Sequence, residues 1–236
     1  MSVEISLRDV RASHGPVEVL HGVSLDAPQG AVTAILGPNG AGKSTTLSVI
    51  AGLLPVRSGT VLWAGKNVTK LSALQRAKAG MVLVPERRGI FPDLTVRDNL
   101  EVFGQGIQPE PNDALDAFPA LRERMSQRAG SLSGGEQQML AMSRVLLQKP
   151  RVLLLDEISF GLAPKITAAL FEVVTELARG STTVLLVEQH LSDALRLADV
   201  VYILNRGNVT FAGEPGELTE GATSISGISA HQSSHS

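Results

Sequence analysis

One stretch of nine residues constrains this chain more than any other: GPNGAGKST at 37–45 fits G-x-x-x-x-G-K-[ST]. It follows AVTAIL at 31–36, the near-continuous apolar pattern of a strand buried on both faces, and leads into a helical stretch from Lys43 to about Ala51. Glycines at 37, 40 and 42 allow a tight turn whose successive N–H groups point inward, a cradle for phosphate oxygens. Lys43 adds a mobile positive charge for the β- and γ-phosphates, and the Ser44 hydroxyl is placed to ligate Mg²⁺. The helix start contributes a favourable dipole for an anion. Gly37, Pro38, Asn39, Gly40, Ala41, Gly42, Lys43, Ser44 and Thr45 are therefore taken as the binding segment for a nucleoside triphosphate. A chance match is the alternative, and the strand–loop–helix context argues against it.

VLLLD at 152–156 is a second buried strand, and it ends on a carboxylate. Beside a phosphate loop, Mg²⁺ needs an anchor there, so Asp156 takes that role. Glu157 follows, and one step along a strand aims it elsewhere, toward an attacking water; it is assigned as general base, with Lys43 and Gln189 as the other catalytic residues. Solvated charges ending a strand are the plainer alternative.

LSGGEQQ at 132–138 opens a strongly helical run with two glycines. Backbone N–H groups are bare at such a start, with the Ser133 hydroxyl adjacent. One triphosphate occupies the loop at 37–45, so Ser133, Gly134, Gly135 and Glu136 are expected to serve a nucleotide held by another subunit. Two chains would then stand head to tail with ATP between them. A capping box from Ser133 to Glu136 explains the serine and the glutamate but leaves both glycines unexplained.

The other elements place these motifs. Alternating segments around Val3–Val10 and Val17–Leu25 read as antiparallel strands. TVLWAG at 60–65 and MVLVP at 81–85 are further strands, with a short helix over Ser72–Ala79 between them. From Thr95 to about Gln148 the spacing is helical, over Thr95–Phe103, Asn112–Met125 and Gly135–Leu147. VLLLD and TVLLVE at 183–188 flank a helix from about Pro164 to Ala178, and VVYIL and VTFAG form a hairpin around Asn205–Asn208. The fold class is α/β, a phosphate-loop core with a mostly parallel sheet, an N-terminal antiparallel β part and an inserted helical part. The core is expected at about 1–90 and 150–218 and the helical part at about 91–149, within a single domain over 1–218; the polar stretch 219–236 is expected to be disordered.

Composition narrows the partners. With 43% hydrophobic and 19% charged residues in 236, the chain can bury a sizeable core. Twenty-one Lys and Arg against 23 Asp and Glu give a formal charge of -2, which argues against nucleic acid as a partner. The lack of cysteine excludes disulfides, thiolate zinc sites and Cys nucleophiles. No apolar run approaches the roughly 18 residues of a membrane span, and the start lacks the layout of a secretion signal, so a soluble, cytoplasmic chain is expected.

Taken in order, GPNGAGKST, LSGGEQQ and VLLLDE resemble the Walker A, signature and Walker B motifs of ABC transporter ATP-binding subunits, a resemblance that covers roughly residues 3–215. The stretch from FPALRERMSQRAG to VLLLDE, with VPERRGIF near 84–91 and GLAP at 161–164, is similar to one subfamily, the ATPase subunits of branched-chain (hydrophobic) amino acid importers. The resemblance implies a fold of the ABC ATPase type, ATP and Mg²⁺ as cofactors, and a second ATPase subunit, commonly a different one. It further implies transmembrane permease subunits, a solute-binding protein behind them, and a position at the inner face of the cytoplasmic membrane. Urea or amides, carried by close relatives, stay open as solutes.

Several positions depart from the family pattern. Where an aromatic residue stacks on adenine, this chain has His14, which can still stack with less area. Glu86 stands where the broad family has a Gln that touches Mg²⁺ and water, and it keeps an oxygen acceptor while adding charge. Counting back from Asp199 puts Gln189 at the switch His position, with His190 one place late. Gln189 could bond the γ-phosphate but cannot shuttle a proton. Ile158 and Phe160 replace a usual Pro and Leu in the loop that meets the partner subunit. Two rival readings remain: a soluble ABC-type ATPase in translation or DNA repair, which would carry tandem units or coiled-coil insertions, and a non-hydrolysing regulatory module.

Overall fold

Six strands build the central sheet, and all but one of their pairings are parallel. A computed structural model describes residues 2–104, 112–189 and 191–218, so the expected tail at 219–236 and His190 lie outside the described residues. In chain order the strands are β1 (Val3–His14), β2 (Val17–Pro28), β3 (Val32–Leu36), β4 (Val56–Trp63), β5 (Lys66–Asn67), β6 (Met81–Val84), β7 (Val152–Asp156), β8 (Thr183–Glu188), β9 (Val200–Asn205) and β10 (Asn208–Gly213). The helices are α1 (Lys43–Ala51), α2 (Ala73–Lys78), α3 (Val96–Phe103), α4 (Asn112–Ala117), α5 (Gly134–Gln148), α6 (Pro164–Arg179) and α7 (Leu191–Leu195). The central sheet runs β10-β9-β3-β8-β7-β6, with only the β9–β10 hairpin antiparallel. A second, antiparallel sheet runs β2-β1-β4-β5.

Every residue of β3, β7 and β8 is buried, which is why these strands read as continuous apolar runs. Alternation sends their side chains to the two faces of the sheet, where Ala34 and Leu36 of β3 pack with Ala194, Val201 and Ile203 and the other apolar ones join two larger cores. Leu153, Leu155, Val184 and Leu186 pack with α5 and α6 residues such as Leu140, Met142 and Leu170. Leu154, Leu185, Val187 and Ile35 pack on the other face with Leu47 and Ile50 of α1 and with Ile5, Leu7 and Trp63 of the antiparallel sheet. The helices α3 and α4 and the 3₁₀ turn at Pro119–Arg124 share the first of these cores, through Leu100, Phe103, Leu115 and Leu121.

Several boundaries differ from the sequence expectation. β1 and β2 run on past Val10 and Leu25 to His14 and Pro28, held through register shifts that reset the alternation. β4 starts at Val56, earlier than the apolar residues announce, because it pairs along β1. The helix expected over Asn112–Met125 breaks at Phe118 and continues over Pro119–Arg124 as a 3₁₀ turn, since proline pushes the residue before it out of the α region. The short pieces β5 and α7 were not expected.

Candidate active site

The loop after β3 is shaped by two close backbone approaches. A Cβ on Gly37 would stand 2.2 Å from the Leu204 carbonyl oxygen of β9. One on Gly42 (φ 103°) would stand 2.7 Å from Leu20 Cδ2 of β2. These glycines are what allow the loop to lie against both sheets. Gly42 caps α1 with no side-chain hydrogen bond, and the helix has no acidic residue in its first turn. Its leading amides thus face outward with the full positive end of the helix dipole. Lys43 is buried; its Nζ donates to the Gly37 carbonyl at 2.9 Å and the Pro38 carbonyl at 3.3 Å. A cavity of about 360 Å³ opens against Pro38, Asn39, Gly40, Ala41, Asn205 and Arg206. The exposed ring of His14 comes to the same loop from β1, its Nε2 3.2 Å from Thr45 Oγ1.

β7 delivers the carboxylates. Ser44 Oγ donates to Asp156 Oδ1 at 2.9 Å, so two of the three residues expected at the metal meet. Burial above all pushes the Asp156 carboxyl up from its ordinary range; the charges of Glu157 and Glu86 add to this, while the Ser44 hydrogen bond and Lys43 oppose it. Glu86, exposed beyond β6, thus acts on Asp156 through its charge. A hydroxyl and a carboxylate whose ionised form is disfavoured are hard oxygen donors that a divalent cation would relieve, so these residues fit Mg²⁺. Among the described residues no group of three or more His, Cys, Asp and Glu is arranged to hold a metal alone.

Glu157 does not continue the strand. Its φ of 50° reverses the backbone, so its aim comes from a turn and not from the pleat that the sequence suggested. The side chain is nearly buried, with Oε1 3.6 Å from Lys43 Nζ. Gln189, leaving β8, donates from Nε2 to Glu157 Oε2 at 2.7 Å. Parallel pairing of Asp156 with Val187 brings these two exits side by side. The sequence reading linked Gln189 to phosphate and missed this bond. It also missed Ser159, which donates from N and Oγ to the buried Glu188 at 3.1 and 2.9 Å.

The start of α5 is self-capped. Glu136 N donates to Ser133 Oγ at 3.3 Å, and Ser133 N and Oγ donate to Glu136 Oε2 at 2.8 and 2.7 Å. Arg124 Nε adds a 3.0 Å bond to Glu136. Bonds from Ser133 first, then Arg124, hold the Glu136 carboxyl below its usual range. Gly135, unexplained by capping alone, has a packing reason: a Cβ there would stand 2.2 Å from Ile166 Cδ1 of α6. A Cβ on Gly134 would stand 3.2 Å from Arg88 Nη2, and Arg88 also bonds Gln137. Arg88, on the loop that carries Glu86, was not singled out within VPERRGIF as a residue that meets α5.

Fold and loop together define a phosphate-loop nucleotide-binding protein with an antiparallel sheet laid on its core. The family described as ABC transporter matches residues 20–159. The high-affinity branched-chain amino acid transport ATP-binding protein BraG of Pseudomonas aeruginosa is 41% identical over 210 residues, covering 87% of this chain and 90% of that protein. A probable branched-chain amino acid transport ATP-binding protein, LivF of Archaeoglobus fulgidus, is 41% identical over 222 residues, covering 91% and 94%. Among solved structures, an ATP-binding subunit of an ABC transporter superposes with a TM-score of 0.80 at 26% identity, covering 89% of this chain and 90% of the other. A nucleotide-free ATP-binding cassette gives 0.74 at 27%, covering 90% and 91%. The chain belongs to the ABC transporter family, and it is an ATP-binding ATPase of that family. Among its described residues no helix is long and apolar enough to cross a membrane.

Proposed function

We propose that this chain is the ATP-hydrolysing subunit of an importer for branched-chain or other hydrophobic amino acids, docked on permease subunits at the inner face of the cytoplasmic membrane. The likeness to two branched-chain amino acid transport ATP-binding proteins supports the solute class. The helical part at about 91–149 is the inserted subdomain that passes motion to the permease, on a core at about 1–90 and 150–218. Two ATPase subunits, of different sequence in the natural complex, close head to tail on ATP, with Ser133, Gly134, Gly135 and Glu136 of each facing the other's nucleotide.

For hydrolysis, the observation that carries the reading is the Glu157 carboxylate held between Lys43 and Gln189. Glu157 orients a water for in-line attack on the γ-phosphate and takes its proton. The loop amides and Lys43 grip the β- and γ-phosphates, and His14 stacks on adenine. Ser44 and Asp156, with Glu86 beside them, hold Mg²⁺, which when bound neutralises phosphate charge. Hydrolysis by wild type and Glu157→Gln tests this: equal rates would remove the assignment. ATP-driven leucine uptake into vesicles carrying the permease subunits tests the solute, and uptake indifferent to this chain would overturn it.

A further inference from the structure

Glu157 lies in the left-handed region, which residues with side chains adopt rarely and keep only when their surroundings impose it. Most of what imposes it leaves from consecutive residues of β8. The Val187 carbonyl accepts from Glu157 N at 2.9 Å. Glu188, 1% exposed, accepts from Ser159 N and Oγ, two residues past the base. Between them Ile158 is sunk in the core at 1% exposure. Gln189 then donates to Glu157 Oε2 at 2.7 Å, while Lys43 Nζ lies 3.6 Å from Oε1.

We infer that Glu188 and Gln189 are positioning residues that act on hydrolysis through Glu157, Glu188 pinning the turn behind the base and Gln189 orienting its carboxylate, in place of a contact from Gln189 to the terminal phosphate. The inference rests on Glu157 being the general base. Its chemistry follows from the groups present. The two carboxylate oxygens have different partners, a cation and an amide, which fixes the plane of the group. An amide donates in the same way at every pH and takes no charge. The charges of this region, Lys43 from α1 beside Glu157, and Asp156 from β7 with Glu86 acting on it from beyond β6, therefore gain no further titrating neighbour through position 189. An imidazole at 189 would instead titrate among those groups near neutral pH.

Steady-state hydrolysis and nucleotide affinity of the full chain test this. Gln189→Ala should lower kcat about tenfold with KM for ATP within about twofold, the mark of a lost orientation and not of lost binding. Placed on Glu157→Gln, the same change should leave both the residual rate and the ratio of ATP to ADP affinity unaltered. Gln189→His should recover hydrolysis and add an inflection between about pH 6 and 8 to the rate profile. Because Glu188→Ala strips a buried acceptor and can unfold the chain, Ser159→Ala, checked by thermal unfolding, tests the second half: kcat should fall several-fold in a folded protein. A wild-type kcat in Gln189→Ala beside an inactive Glu157→Gln would overturn the inference and leave the base standing. So would ATP losing affinity relative to ADP in the double variant, since that reads a phosphate contact. A Glu157→Gln protein as fast as wild type would remove the base first, and the inference with it.

Discussion

Gly135→Ala separates two reasons for a glycine at the start of α5, packing and approach of a nucleotide. The added methyl would stand 2.2 Å from Ile166 Cδ1, 3.5 Å from Cγ1 and 3.6 Å from Cγ2. Carbon atoms rest at about 3.5–4.0 Å, so only Cδ1 is in conflict. Forcing it aside costs about 1–3 kcal/mol, as overpacking does, and replacing a helical glycine returns about 0.8–1.0 kcal/mol. The net loss is about 1 kcal/mol, or roughly 2–4 °C in melting temperature for a chain of this length. Ile166→Val removes the one conflicting carbon and leaves the two ordinary contacts. The double variant Gly135→Ala, Ile166→Val should therefore melt above the sum of its parts by about 1–2 kcal/mol, measured by thermal and urea unfolding of all four proteins in the cycle. Additivity within about 0.5 kcal/mol would refute the packing argument. If stability returns in the double variant while hydrolysis does not, the glycine also serves the nucleotide across the proposed pair.

Three other perturbations follow from the same geometry. Asp156→Asn should raise the melting temperature in chelator without nucleotide, because it removes a buried carboxylate whose pKa is raised in the fold; that penalty weighs above the folded pKa and is relieved as pH falls through it, so the gain should shrink in acid. A variant less stable than wild type at pH 7 would contradict this. Arg76, 2% exposed, donates to the carbonyls of Val49, Ile50, Val68, Thr69 and Leu71, with no carboxylate partner among the described residues, so Arg76→Met should cost about 3–5 kcal/mol in urea unfolding, and a loss under about 1 kcal/mol would show those carbonyls re-satisfied. Glu136→Gln keeps the capping box but drops a charge held below its usual pKa, so about 0.3–1 kcal/mol should be lost at pH 7; wild type loses its advantage as pH falls through the lowered pKa, and the two proteins should converge there.

What the sequence revealed is what local pattern encodes. The apolar runs at 31–36, 152–156 and 183–188 announce buried parallel strands because each is buried along its whole length. The phosphate loop is legible since its glycines and Lys43 act within nine residues. The bond from Gln189 to Glu157 was not, because it depends on β8 lying beside β7 in a register that no single segment records. Two buried strands ending on Asp156–Glu157 and Glu188–Gln189 were the available hint. Arg76 escaped for a like reason: in a short helix it reads as a solvated charge, and its acceptors come from α1 and from the stretch between β4 and α2.

The two helix starts that the sequence made look alike are physically unlike. α1 begins on a glycine with no side-chain cap and no acidic residue in its first turn, so its positive end is uncompensated. α5 carries Glu136 folded back on Ser133, which satisfies the Ser133 and Glu136 amides and places a negative charge where a phosphate would come. Arg124 on Glu136 and Arg88 at Gly134 offset that charge. An anion is thus held strongly at α1 by the fold itself, whereas at α5 it must compete with an internal cap. In the proposed head-to-tail pair this difference has a use. Each nucleotide would stay with the protomer whose α1 holds it, while the weaker grip from the other protomer's α5 could form and release with every hydrolytic cycle. Two equally bare helix ends would instead bind the pair shut.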